Sequence, residues 1–220
     1  MILAAGRGKR MRPLTDNRPK PLLHLAGKPL IQYHLEALAK AGITKVIINH
    51  AWLGEQIEAF VKTGNQFGLE VEYSAEQEAL ETGGGICKAL PLLGTEAFLV
   101  INGDVWTTMD VGSYQLPEGK LAHLVMVDNP DQHLEGDFHL IKGEVDDIGE
   151  PKLTFSGIGI YHPTLFDNCP TGRFSLPVLL RKAMEKNLVS GEHYQGHWYD
   201  IGRPARLAEL EQKILKGDMT

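Results

Sequence analysis

Apolar residues recur along this chain in two rhythms that alternate. Residues 1–5 form a short apolar run that stops at Gly6-Arg7-Gly8-Lys9-Arg10, where glycine and charge cannot continue it; this predicts a buried strand feeding a loop. From Pro29, the residues Leu30, Ile31, His34, Leu35, Leu38 and Ala41 fall at helical spacing, with Pro29 suited to the first turn and Gly42 to the stop. A helix over residues 29–41 is predicted. The β-branched run 45–49 reads as a strand, Ile57, Phe60 and Val61 as a helix face, and the alternating 69–73 as a half-buried strand. A helical stretch through Ile86, Ala89 and Leu90 leads to the apolar strand 97–101, which ends at Asn102-Gly103-Asp104. Four strands separated by helices predict right-handed βαβ units: a Rossmann-like, three-layer α/β/α domain with a mostly parallel central sheet.

The second half loses this alternation. Residues 121–127, 137–141 and 153–161 look like strands with no long helix between the first two, which predicts antiparallel additions or a small β-rich lobe beside the main sheet. Residues 174–186 and 204–215 read as helices, and the tract 129–136 as a loop over the sheet. No internal repeat or low-complexity linker divides the chain, so one domain over residues 1–220 is expected.

Composition narrows the classes. A chain of 220 residues can bury a core unaided, and its two cysteines, Cys87 and Cys169, are too few for a disulfide framework, which points to the reducing cytoplasm. No apolar run approaches membrane-spanning length and no signal-peptide pattern opens the chain, so a soluble intracellular protein with no membrane partner is expected. The net charge of −6 argues against a nucleic-acid partner. That average hides an asymmetry, because residues 1–28 hold seven basic side chains against Asp16 alone, or +6, while the rest of the chain carries −12. The positive charge sits where the glycines are. Taken alone it could be a solvated basic arm; a strand ending in a glycine-rich basic loop is also a phosphate-binding arrangement.

Two common phosphate loops fail here. The third glycine of G-x-G-x-x-G is replaced by Met11, and no G-x-x-x-x-G-K-[ST] occurs. What stands is Leu3-Ala4-Ala5-Gly6-x-Gly8-x-Arg10-Met11, then Arg18-Pro19-Lys20-Pro21-Leu22, then Gly27-Lys28-Pro29-Leu30. That set resembles the signature of the sugar-1-phosphate nucleotidyltransferases, and the resemblance covers nearly the whole chain. It implies that residues 1–110 bind the nucleotide and residues 111–220 the sugar phosphate. The loop Leu3, Ala4, Ala5, Gly6, Arg7 and Gly8 would wrap a nucleoside triphosphate, with Arg10 on its phosphates and Lys20 on the reacting phosphoryl group; fixed cations are what charge accumulating there requires.

The same resemblance assigns a Mg²⁺ cofactor to Asp104, at the end of an apolar strand, and to Asp200 in Trp198-Tyr199-Asp200-Ile201-Gly202, although either aspartate could simply cap a helix. Magnesium commonly takes one or two carboxylates and fills its shell with phosphate oxygens and water. Glu76, Thr82 and Gly83 correspond to the stretch that holds a pyrimidine base, and a carboxylate at Glu76 suits the N3–H of uracil or thymine; the plainer reading is a charged surface loop before a helix. For the acceptor, Asn102, Gly136, Ser156 and Gly157 correspond to strands framing the sugar phosphate. Relatives often carry Glu-Lys-Pro where this chain has Glu150-Pro151-Lys152, so Lys152 is a candidate phosphate anchor in altered order. His50 is either part of the site or a helix-initiating residue. The strings INHAWLGEQI, ETGGGI, NGDVW and FSGIGIYHP most resemble the compact uridylyltransferases of bacterial cell-wall sugar recycling, which implies UTP and N-acetyl-α-muramate-1-phosphate as substrates and a monomer. Mannose-1-phosphate guanylyl and glucose-1-phosphate thymidylyl transfer stay open, as does an idle regulatory subunit; a Rossmann dehydrogenase would want an acid where Asn49-His50 stands.

Overall fold

The computed structural model describes residues 1–219. Thirteen strands and five helices follow one another: β1 (Ile2–Leu3), β2 (His24–Leu25), β3 (Lys28–Pro29), α1 (Leu30–Lys40), β4 (Lys45–His50), α2 (Gly54–Val61), β5 (Glu70–Ala75), α3 (Glu81–Leu93), β6 (Phe98–Asn102), β7 (Val105–Thr107), β8 (Ala122–Val127), β9 (Phe138–Ile141), β10 (Glu144–Asp146), β11 (Lys152–Tyr161), α4 (Pro177–Met184), β12 (Val189–His193), β13 (Trp198–Asp200) and α5 (Pro204–Lys216). Nine strands form one sheet in the order β5-β4-β1-β6-β11-β8-β12-β10-β9. The strands β5, β4, β1 and β6 are strictly parallel, as their helix-separated spacing predicts, with Ile2 between Ile48 and Ile101.

Beyond β6 the sheet is mixed. β11 runs antiparallel to both β6 and β8, and β9 returns to pair with the first residues of β11 through Lys152–His139 and Leu153–Phe138. These strands extend the main sheet as antiparallel additions rather than forming a separate lobe beside it. The register of β11 on β8 shifts between Phe155 and Gly159, where Gly157 takes a positive φ of 79°. Two layers of core cover the sheet. One packs α1 and α2 through Ile31, Leu35, Leu38, Ile57 and Val61; the other packs α3 and α4 through Ile86, Ala89, Leu179, Leu180 and Ala183. Gly42, at a φ of 78°, ends the turn after α1 as expected of a left-handed stop.

The cysteines depart from expectation. A disulfide joins Cys87 of α3 to Cys169, 82 residues later. The cause is the packing of the 169–174 loop on the start of α3, where the Gly84 N–H donates to the Phe174 carbonyl at 3.1 Å and the Phe174 N–H to the Leu80 carbonyl at 3.2 Å. Long-range packing of this kind leaves no mark in cysteine spacing. The predicted helix 174–186 begins only at Pro177, because the main chain at Phe174 is committed to α3.

Candidate active site

Parallel sheets bind ligands beyond the carboxyl ends of their strands. Here the ends of β1, β4 and β6 open onto a cleft of about 990 Å³. Of the residues singled out from the sequence, Leu3, Ala4, Ala5, Gly6 and Arg7 line it from the first loop, Lys20 from the second, Thr82 from α3, and Asn102 and Asp104 from the end of β6. The first loop turns at Gly8, whose φ of 65° suits glycine, and the Thr15 hydroxyl donates to the Gly8 carbonyl at 2.8 Å. A Cβ on Gly8 would lie 3.0 Å from the Thr15 methyl and 3.3 Å from Lys20 Cβ. Close approach at Gly8 therefore seats Lys20 against the loop. Arg7 is fixed too, its guanidinium carbon 3.6 Å from the centre of the Trp52 ring, while the Trp52 indole N–H donates to the Thr15 carbonyl at 3.2 Å.

Asp104 and Asp200 are brought together by a pairing that sequence could not show. Asp104 sits between β6 and β7, and β13 pairs antiparallel with β7 so that Asp200 lies opposite Val105. The Ile201 N–H donates to the Asp104 carbonyl at 2.9 Å, closing the turn. The Lys20 ammonium lies 2.7 Å from Asp104 Oδ2, and the residue is only 8% exposed. Burial, and then the neighbouring Asp104 carboxylate, raise the Asp200 pKa above the usual carboxylate value, while Lys20, Arg10 and Arg206 pull it back. A Cβ on Gly202 would lie 3.1 Å from Asp200 Oδ2 and 3.6 Å from Arg10 Nη1, so Arg10 stands beside the aspartate pair rather than in the wall of the cleft. Two carboxylates competing for charge neutralisation beside a cleft large enough for a nucleotide are a donor set that suits a hard divalent cation. Among the described residues there is no cluster of three or more His, Cys, Asp or Glu, which leaves the rest of such a shell to phosphate and water.

Of the acceptor candidates, Gly157 packs next to Asn102, while Gly136 and Lys152 meet at the other end of β11. A Cβ on Gly157 would overlap the Asn102 amide, so the turn in β11 rests directly on the end of β6. The Trp198 indole N–H donates to the Ser156 carbonyl at 2.9 Å, tying β13 to that turn. Gly136, at a φ of 65°, packs on the Lys152 carbonyl and on Asn129 Oδ1, at 2.8 and 2.9 Å from a built Cβ. Lys152 opens β11 and lies outside the lining of the cleft.

Three residues sit deeper than the sequence suggests. Glu76 is not a surface carboxylate: it is 6% exposed, and its oxygens accept from Asn49 Nδ2 at 2.6 Å and from the Leu80 N–H at 2.8 Å. Gly83 is buried within α3, where a Cβ would overlap the Phe174 ring, so it is a packing glycine. His50 is buried as well, 2.7 Å from Glu58 and against Gly54, which makes it an anchor for α2. Sequence reasoning missed Arg173, which enters the cleft from the 169–174 loop and holds Glu81 at 2.8 Å. A lone Gly-Arg pair in a loop gave no signal for it.

Residues 1–138 match the nucleotidyl transferase family model. The chain belongs to that family. It is 50% identical over 223 residues to the N-acetylmuramate alpha-1-phosphate uridylyltransferase of Neisseria meningitidis serogroup B, with 96% of each chain covered. It is 35% identical over 233 residues to the protein of the same name from Caulobacter vibrioides, covering 95% of this chain and 96% of that one. Among solved structures, UDP-glucose pyrophosphorylase complexed with UDP-glucose superposes with a TM-score of 0.78 at 20% identity, over 98% of this chain and 97% of the other, and shares the fold. The cleft carries a glycine-rich loop with a buried lysine beside it, and the Asp104–Asp200 pair stands at its edge.

Proposed function

We propose that this chain transfers UMP from UTP to N-acetyl-α-muramate-1-phosphate, giving UDP-N-acetylmuramate and pyrophosphate, as a cytoplasmic monomer serving cell-wall sugar recycling. The full-length similarity to two uridylyltransferases of that name supports the substrates, and the buried Lys20 placed 2.7 Å from Asp104 at the mouth of the phosphate loop is the observation that carries the chemistry. An oxygen of the sugar phosphate attacks the α-phosphorus, forming one P–O bond as the bond to pyrophosphate breaks. That oxygen is already ionised at neutral pH, so no base need remove a proton. Lys20 and Arg10 meet the charge that builds on the phosphoryl oxygens, and main-chain N–H groups of the 5–8 loop hold the triphosphate. Asp104 and Asp200 would hold Mg²⁺, which when bound neutralises phosphate charge. Asn102, Gly136, Ser156 and Gly157 frame the acceptor, and Thr82 the base.

The test is pyrophosphate release from four nucleoside triphosphates against N-acetylmuramate-1-phosphate, mannose-1-phosphate and glucose-1-phosphate. Release confined to UTP with the first acceptor supports the proposal; preference for GTP with mannose-1-phosphate, or TTP with glucose-1-phosphate, replaces it.

A further inference from the structure

Glu76 and Asn49 lie on separate strand ends, yet they form one buried relay in the floor of the nucleotide cleft, where Asn49 is part of the lining and Glu76 lies beneath it. The Leu80 N–H donates to Glu76 Oε2 at 2.8 Å, Asn49 Nδ2 donates to Glu76 Oε1 at 2.6 Å, and the Ala4 N–H donates to Asn49 Oδ1 at 2.8 Å. The two side chains are 6% and 2% exposed. Ala4 opens the phosphate loop, and Leu80 precedes the start of α3, which lines the same cleft. Gly85 makes room for the relay, since a Cβ there would lie 2.7 Å from Asn49 Nδ2 and 2.9 Å from Glu76 Oε1.

We infer that Asn49 and Glu76 are positioning residues that fix the phosphate loop relative to the base-binding wall, acting through the Ala4 and Leu80 amides. The inference rests on the nucleotide-binding reading above. It follows from hydrogen-bond polarity: the relay runs through two donors into a carboxylate that can only accept, and through one amide oxygen, so all three bonds are satisfied by one arrangement alone. A buried polar group left facing its like is costly, which makes the relay stiff.

Polarity also supplies the test. Glu76→Gln alone leaves one donor facing a donor however the amides turn, and Asn49→Asp alone sets two carboxylates face to face. In the double variant Asn49→Asp/Glu76→Gln the new glutamine accepts from Leu80 and donates to the new aspartate, which accepts from Ala4, so every bond returns with the charge moved one residue along. Binding of UTP with Mg²⁺, the KM for each substrate and the melting temperature are measured for all four proteins. Each single variant is expected to weaken UTP binding about tenfold, with the KM for the sugar phosphate moving less, and the double variant to recover to within about threefold of the parent. If a single variant does not fold, recovery of melting temperature and UTP binding in the double variant still decides. Additive losses in the double variant overturn the inference, as does a switch of base preference in Glu76→Gln, which would put Glu76 on the base. Should the parent bind no UTP, the functional reading fails by itself, while rescue of melting temperature continues to test the relay.

Discussion

His34 lies on α1 beneath the Asn102–Val105 turn and is 5% exposed. Its Nε2 makes no well-formed hydrogen bond. Burial lowers its pKa from 6.5 to about 4, against the opposing pull of Asp104 and of the main chain at Gly103 and Val105. The folded protein therefore holds His34 neutral while the unfolded chain protonates it. Its contribution to stability is full above pH 6.5 and is lost as pH falls from there towards 4. A shift of this size corresponds to about 3 kcal/mol, at about 1.4 kcal/mol per pKa unit, a sizeable share of the roughly 5–15 kcal/mol that holds a typical domain folded. Urea unfolding of the parent and of His34→Leu at pH 7.0, 5.5 and 4.0, compared as the difference between the two proteins, isolates the term from other titrating groups. The parent should lose about 3 kcal/mol more than the variant across that range. Parallel losses in both proteins would show that His34 is solvated or protonated in the fold and would refute the reasoning.

Replacing Lys20 or Asp104 by alanine should each lower turnover about 10²-fold or more at saturating substrates and Mg²⁺, and near-parent activity in either would remove it from the chemistry. Asp200→Asn should raise the melting temperature of the ligand-free protein at pH 7, because the raised pKa marks a carboxylate whose charge the fold disfavours; the gain should fade as pH falls and the parent aspartate takes up its proton. Turnover should collapse in the same variant, and a melting temperature that falls instead would contradict the placement beside Asp104. Trp52→Ala removes the ring on which Arg7 rests at 3.6 Å, a contact worth about 1 kcal/mol, so the KM for UTP should rise about fivefold with kcat little altered.

Local pattern carried much of the fold. The apolar spacing from Leu30 to Leu38 and the glycine at 42 set the limits of α1 to within a residue, and the four helix-separated strands paired in parallel as their spacing requires. β12 was not legible: Val189-Ser190-Gly191-Glu192-His193 has no strand-like alternation and becomes a strand through parallel pairing with β8. The pairing of β7 with β13 joins residues more than ninety apart, and that pairing, not any property of Asp104 or Asp200 alone, creates the acidic pair. Motif order could rank those two aspartates as partners only through the family resemblance. The burial of Glu76 was hidden for a related reason. Its charged neighbours Glu78 and Glu81 suggest a solvated loop, while its burial follows from a partner, Asn49, on another strand. Arg173 depends on the packing of a whole loop against α3 and carried no local signature.

The most direct test is to incubate the purified protein with UTP, Mg²⁺ and N-acetyl-α-muramate-1-phosphate and identify the products by mass spectrometry. Stoichiometric UDP-N-acetylmuramate and pyrophosphate, formed by the parent and not by Asp104→Ala, is the predicted result. No nucleotide sugar from this pair, alongside efficient turnover of another nucleoside triphosphate and sugar phosphate, would contradict it.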